Sequence, residues 1–237
     1  MSDDIKAFCR TRGADCAGIA DLAPFKQGWV VLPANLLDPF TRAISIAKRL
    51  DDDVINEIDR GPTVRYAGHY RSVNVELDAV TADVVKWIGE RGYQAKAVPA
   101  SHITDDTNLL GNISHKAVAR MAGIGWQGKS LLIVNPEHGP RIRLATVLTD
   151  MPLVQDQPLR NRCGTCAECS KACPVSAIKN VNTKDRYETR DDALYFSRCA
   201  EQTRRNKALP GIGAMICGVC VKVCPFGRKR RTRSPGI

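Results

Sequence analysis

The sequence predicts an α+β domain over residues 1–150, a small domain organised by cysteine ligands over 151–227, and a basic tail over 228–237. Three observations lead there. Helix-period and strand-period apolar patterns intersperse through the first 150 residues. Eight of the ten cysteines fall in the last third of the chain. Between the two regions, 151–162 carries Pro152 and Pro158 and few apolar residues, the composition of a linker.

The elements follow in order. Residues 2–12 form a helix opened by Ser2, with Asp3 and Asp4 in the first turn and Gly13 as its stop. Residues 14–20 form a short buried strand, and 43–47, Ala-Ile-Ser-Ile-Ala, alternate like a second. Leu77, Val80, Val84 and Ile88 share one helical face, which predicts a helix over 70–91 stopped by Gly92. Residues 93–98 return as a strand, and 114–122 form a helix ended by Gly123. Residues 131–134 and 142–149 read as a hairpin around the turn 135–140.

The cysteine runs are Cys163-x2-Cys166-x2-Cys169-x3-Cys173-Pro174 and Cys217-x2-Cys220-x3-Cys224-Pro225, with Cys199 upstream of the second. This is bacterial ferredoxin spacing, in which three cysteines wrap one cubane and the fourth serves its neighbour. Proline after the fourth has no amide hydrogen and breaks the regular structure there. The expected sets are Cys163, Cys166, Cys169 and Cys224 for one 4Fe-4S cluster, and Cys173, Cys199, Cys217 and Cys220 for the other. A zinc ribbon uses two separated ligand pairs, and a disulfide framework suits secreted chains. The two-cluster pattern therefore indicates one-electron chemistry at low potential. Cys9 and Cys16 are left over and read as buried hydrophobes.

With 237 residues the chain is long enough for a real core. Its net charge of +10 is concentrated at the end, where Arg228, Lys229, Arg230, Arg231 and Arg233 stand together without an acid. Such a run grips RNA phosphates or is a solvated end. The opening Met1-Ser2-Asp3-Asp4 has neither a basic nor an apolar leader pattern, and no stretch reaches about 18 apolar residues, so a cytoplasmic protein without a membrane span is expected.

Residues outside the cysteines carry a resemblance. The stretch 122–133, Ala-Gly-Ile-Gly-Trp-Gln-Gly-Lys-Ser-Leu-Leu-Ile, resembles the Ala-Gly-Leu-Gly-Trp-x-Gly-Lys segment of epoxyqueuosine reductases. The stretch 139–153 is closer to the matching segment of reductive dehalogenases, and Cys163-Gly164-Thr165-Cys166 and Cys224-Pro225-Phe226 fit both. The likeness runs over 111–227 and more faintly back to 18–20. It implies a nitroreductase-like, cobalamin-binding α+β domain followed by a ferredoxin-like double-cluster domain. By resemblance, Gly125, Trp126, Gly128, Lys129, Ser130, Arg141 and Arg143 hold the corrin or its tail, and Glu201, Arg205 and Lys207 face it from the cluster domain. Each also has a plain reading as turn, core or solvated strand face. No Asp-x-His-x-x-Gly segment is present, which implies base-off cobalamin without a protein ligand.

The resemblance further implies an oxidoreductase fed by reduced ferredoxin or flavodoxin, with epoxyqueuosine in tRNA as the best single substrate. Epoxyqueuosine reductases place a proton-donating aspartate before a Pro-Val-x-Glu-Arg-like stretch. Here that stretch is Gly111-Asn112-Ile113-Ser114-His115-Lys116 and the aligned position is near Leu109. Asp105 and Asp106 stand close but out of register, and His102 and His115 are other acids within reach in sequence. Dehalogenases use a tyrosine beside a cation, for which Tyr66 and Tyr70 have the chemistry. Two alternatives stay open: an electron-transfer protein that reduces or activates a corrinoid or flavin partner, and a flavin held by the first domain.

Overall fold

A computed structural model describes residues 1–228; the basic tail beyond Arg228 lies outside the described residues. Helix α1 (Ser2–Thr11) buries Ile5 and Cys9 and ends at Gly13, whose φ of +101° stops it. Strand β1 (Cys16–Asp21) leads by a 3-10 turn to β2 (Arg42–Arg49) and the short α2 (Asp52–Asn56), capped by Asp51. The long α3 (Val64–Gly89) precedes β3 (Ala95–Val98) and α4 (His115–Met121). Then come β4 (Trp126–Gln127), β5 (Ile133–Val134) and β6 (Ile142–Thr149). Four helices complete the described chain: α5 (Glu168–Ala172), α6 (Arg190–Ala193), α7 (Phe196–Lys207) and α8 (Val219–Val223).

The main sheet has the order β1-β2-β6-β3, antiparallel throughout, with Ile19 opposite Ile44, Ile44 opposite Val147, and Ala97 opposite Val147. Both faces are covered. Ile44, Ile46, Ala145 and Val147 pack with α1 and α3, while Ala43, Ala47, Leu144 and Leu148 pack with α4 and Leu36, Leu37 and Phe40. Burial on both sides explains why successive residues of both strands are buried rather than every second one.

Helix α3 begins six residues before the periodicity suggested. Thr63, following Pro62, accepts a hydrogen bond from the Tyr66 amide at 3.0 Å and caps the helix. The early start matters because it brings Tyr66 and Tyr70 onto a rigid element.

The expected hairpin of 131–134 with 142–149 does not form. Ile133–Val134 pairs with Trp126–Gln127 in a separate two-stranded sheet, and Ile142–Thr149 runs between β2 and β3. Asn135 and Gly139 exchange backbone hydrogen bonds at 2.9 Å, so the turn closes early and Pro140 and Arg141 carry the chain away to the main sheet. Gly139 has φ +58°, and a side chain there meets the Phe226 backbone. Gly28, at φ +83° in open space, offers the baseline for strain alone. We therefore expect Gly139→Ala to cost about 2–4 kcal/mol, and Gly28→Ala clearly less, by chemical denaturation of the full chain; equal costs would mean that the Phe226 contact yields.

Nor is 151–162 a free tether. Met151 and Leu153 are buried, and Asp156 accepts from the Ile19 amide at 2.8 Å and from Lys6 at 2.6 Å. The core does not stop at residue 150 either, because Ile212, Ile216, Val219 and Val221 belong to the cluster built by α1 and α3. Arg141, 1% exposed, clasps the two regions by donating to Asp52 at 2.7 Å, Asn56 at 3.1 Å and the Lys222 carbonyl at 3.3 Å. No helix among the described residues is long and apolar enough to cross a membrane.

Candidate redox site

The cysteine loops are set by short helices that pack on each other. Cys166 closes a turn on the Cys163 carbonyl at 3.0 Å, helped by Gly164 at φ +50°. Helix α5 carries Cys169 and ends at Cys173, and α8 carries Cys220 between Cys217 and Cys224. Cys199 arrives on α7, near the start of that helix. Gly218, at φ +87°, starts α8, and any side chain there meets Ile58 at 2.5 Å and Tyr66 at 2.9 Å.

One cavity is lined by five cysteines, Cys163, Cys166, Cys169, Cys220 and Cys224, together with Gly128 and Lys129. A side chain at Gly128 meets Val134 at 2.8 Å and comes within 3.6 Å of the Cys163 sulfur, so glycine keeps the cradle open. Burial pushes the Cys224 thiol up to about 12, and the Cys163, Cys169 and Cys166 sulfurs add to it. Burial also raises Cys199, followed by Cys173 and Cys217. Cys220 is raised by burial and then by Cys217, Cys199, Cys169 and Cys173. The thiols thus crowd and repel one another, and Cys220 lines the same cavity as Cys163, Cys166, Cys169 and Cys224. Ionising them together requires positive charge placed among them, which a cationic iron core supplies. A single zinc would draw its sulfurs to about 3.8 Å of one another through bonds of about 2.3 Å. Among the described residues, no three His, Cys, Asp or Glu side chains are gathered as a single-ion site. The donor set fits clusters.

Near the second group lies a polar cluster. Lys116 on α4 is open to solvent yet crowded by protein along its flanks. That crowding, then Arg190, pushes its ammonium down, while the Cys199 and Cys220 sulfurs oppose the effect. Arg143 on β6 donates to Asn74 Oδ1 at 3.0 Å, to the Ser101 hydroxyl and to Tyr70 Oη at 3.4 Å, and its guanidinium lies 4.4 Å over the Tyr70 ring. Asn74 Nδ2 donates to Ser101 Oγ at 3.2 Å, and Tyr70 Oη lies 2.8 Å from Ser101 Oγ. Behind them His115 is bonded through Nδ1 to Thr146 Oγ1 at 2.8 Å and through Nε2 to the Pro99 carbonyl at 3.1 Å.

A carbonyl only accepts, so Nε2 carries the His115 proton and Nδ1 accepts from Thr146. Burial lowers His115 from 6.5 to about 4, so it is neutral at pH 7. The unfolded chain then takes up the proton first as pH falls. The stability linked to His115 is complete above pH 6.5 and is lost toward about 4. We expect His115→Gln to flatten the stability-versus-pH curve in that window; an unchanged slope would assign the acid loss elsewhere.

Comparison with known proteins places this geometry. Residues 162–227 match the family described as a 4Fe-4S double cluster binding domain. The epoxyqueuosine reductase of Listeria monocytogenes is 43% identical over 123 residues, which is 50% of this chain and 31% of that protein. The epoxyqueuosine reductase of Synechococcus sp. strain CC9605 is 32% identical over 206 residues, 85% of this chain and 60% of that protein. A catabolic reductive dehalogenase in complex with 3-bromo-4-hydroxybenzoic acid superposes with TM-score 0.74 at 20% identity, over 95% of this chain and 31% of that one. An epoxyqueuosine reductase bound to an epoxyqueuosine-modified tRNA stem loop gives 0.61 at 24% identity, over 95% and 64%. The chain resembles epoxyqueuosine reductases in sequence and shares the fold of the reductive dehalogenases. It spans 31% and 60% of the length of these two curated relatives.

The segment 122–133 sits differently from its sequence-based reading as a corrin surface. Trp126 is 1% exposed with its ring edge on Phe226, and a side chain at Gly125 meets the Val134 carbonyl at 2.5 Å, so both are packing residues between β4 and β5. Lys129 is 4% exposed and turned to the cysteine loop, with the half-buried Ser130 beside it on the cavity wall. Arg141 is spent in the clasp described above. Of the residues nominated for the corrin, Arg143 is the one in the polar cluster. Glu201 and Arg205 pair with each other on the outer face of α7, and Lys207 is exposed at that helix's end.

The nominated acids lie outside the polar network too. His102 and Asp106 are exposed on the loop after β3. Asp105 accepts from the Asn108 amide at 2.9 Å and from Asn108 Nδ2 at 2.8 Å, and these bonds hold its carboxyl below the usual range. A carboxyl tuned that way is an anion near neutrality and has no proton to give. Lys116, Arg190, Ser101 and Asn74 were not singled out from sequence. They come from four separate segments and share no local motif.

Proposed function

We propose that this chain is a cobalamin-dependent iron–sulfur reductase. Cys163, Cys166, Cys169 and Cys224 hold one 4Fe-4S cluster, and Cys173, Cys199, Cys217 and Cys220 hold the other. The observation that carries the reading is the gathering of Cys163, Cys166, Cys169, Cys220 and Cys224 around one cavity, with Lys116 near Cys199 and Cys220 and Arg143 beside Tyr70. A reductive dehalogenase of the same fold, at TM-score 0.71, is described as performing B12-dependent dehalogenation. Arg143, Tyr70 and Lys116 are the residues that would face base-off cobalamin, which would supply a redox-active cobalt. Reduced ferredoxin or flavodoxin is the donor in this reading, and epoxyqueuosine in tRNA the substrate, in keeping with the basic run from Arg228.

The chain's own residues divide the remaining work. Ser101 Oγ has two lone pairs, which receive Arg143 and Asn74. Its hydrogen therefore goes to Tyr70 Oη, and the Tyr70 proton is left to point out of this network. Arg143 lies over the Tyr70 ring and holds the phenol in this orientation. Lys116 and Arg190 offer cations for a developing alkoxide or for phosphate.

The test is to reconstitute the full chain with iron and sulfide without oxygen, then offer cobalamin before gel filtration. About eight irons and about one corrin per chain, with a base-off spectrum, are expected. Full iron without retained corrin would replace this reading with the electron-transfer protein.

A further inference from the structure

Among the cations buried in this molecule, Arg141 has the Asp52 carboxylate at 2.7 Å and Arg120 has Asp185. Lys129 is the exception. It is 4% exposed, and its ammonium donates to the Cys166 carbonyl at 2.8 Å and to Asn180 Oδ1 at 3.1 Å, both uncharged. Among the described residues no carboxylate lies within 4.0 Å of it. A buried ammonium without a counter-charge is costly, by several kcal/mol in order of magnitude. Lys129 also lines the same cavity wall as Cys163, Cys166, Cys169 and Cys224. A cubane held by four thiolates is a dianion, and a trianion once it has accepted an electron.

We propose that Lys129 is the charge partner of the cluster held by Cys163, Cys166, Cys169 and Cys224, and that it raises that cluster's reduction potential above the value the same ligands would give alone. The inference rests on the two-cluster reading above. The physical reason is that a fixed positive charge favours the trianion over the dianion, and cluster potentials follow local charge and hydrogen bonding. The second group has its own cation in Lys116, near Cys199 and Cys220, but Lys116 is exposed where Lys129 is buried, so changing the charge at Lys129 moves the first cluster's potential and leaves the second's in place. It acts through the cluster's field and is a positioning residue for electrons, not a group that touches substrate.

The experiment is an EPR-monitored redox titration of the anaerobically reconstituted full chain. Lys129→Gln keeps amide donors for Cys166 and Asn180 but removes the charge, and Asn180→Asp is an isosteric change at an exposed residue that sets a carboxylate against the ammonium. Both should make one cluster at least about tenfold harder to reduce at a fixed potential, a shift of about 59 mV for one electron, and leave the other unmoved. Lys129→Arg should stay near the unaltered protein. If Lys129→Gln loses iron, Asn180→Asp decides alone. Unchanged midpoints in the folded variants, or equal shifts of both clusters, would overturn the proposal. Iron well below about eight per chain in the unaltered protein would instead remove the two-cluster reading, before any variant is titrated.

Discussion

Tyr70→Phe is expected to lower kcat by about a hundred- to ten-thousand-fold while leaving iron content, corrin binding and KM near their unaltered values. Removing one hydroxyl deletes the proton that Ser101 and Arg143 together direct out of their network, and proton transfer from a positioned side chain contributes on that scale. The phenyl ring remains, so the cation–π contact of Arg143 and the packing of Tyr70 against Tyr66 at 6.5 Å are kept. That separates chemistry from folding. Asp105→Asn serves as the contrast, because its carboxylate organises a surface turn, and it should leave turnover within about threefold. Were the two results exchanged, with turnover lost in Asp105→Asn and kept in Tyr70→Phe, the proton donor would be on the loop and the polar network merely structural.

Cys199→Ser is expected to remove the second cluster and spare the first, with iron falling from about eight to about four per chain. Cys199 comes from α7, well upstream of the run that supplies Cys217 and Cys220, and burial together with Cys173 and Cys217 raises its thiol. Serine is a poor ligand for soft iron–sulfur chemistry and leaves its hydroxyl in a pocket that favours no free anion. The first cluster's ligands line a cavity to which Cys199 does not contribute and should keep their EPR signal. Iron analysis and spin quantitation of the dithionite-reduced protein read this directly. Full iron in the variant would mean that another residue completes the second set.

Much of this architecture was visible in the linear chain. The eight cysteines carry their meaning in spacing alone, because a cubane's ligand geometry is met by local turns at i, i+3 and i+6. Helix stops at Gly13 and Gly123 were equally legible, since a left-handed residue ends a helix wherever it occurs. The register of 142–149 was not. A strand buried on both faces has no alternation to say which neighbours it takes, and proximity in sequence to 131–134 suggested a hairpin that the Asn135–Gly139 turn prevents.

The site divides along the same line. Sequence by itself pointed to iron–sulfur chemistry, to the eight cysteines of a double-cluster domain and to the segment 122–133, because those depend on residue type at short spacing. Tertiary structure alone decided what that segment does. It turned Trp126 and Arg141 into packing and clasp, aimed Lys129 at the cysteine loop, and assembled Tyr70, Asn74, Ser101, Lys116, Arg143 and Arg190 from separate helices, a strand and a loop into one polar cluster. The physical reason is that a side chain's role follows from burial and from the charges around it, and both are set by parts of the chain far away in sequence.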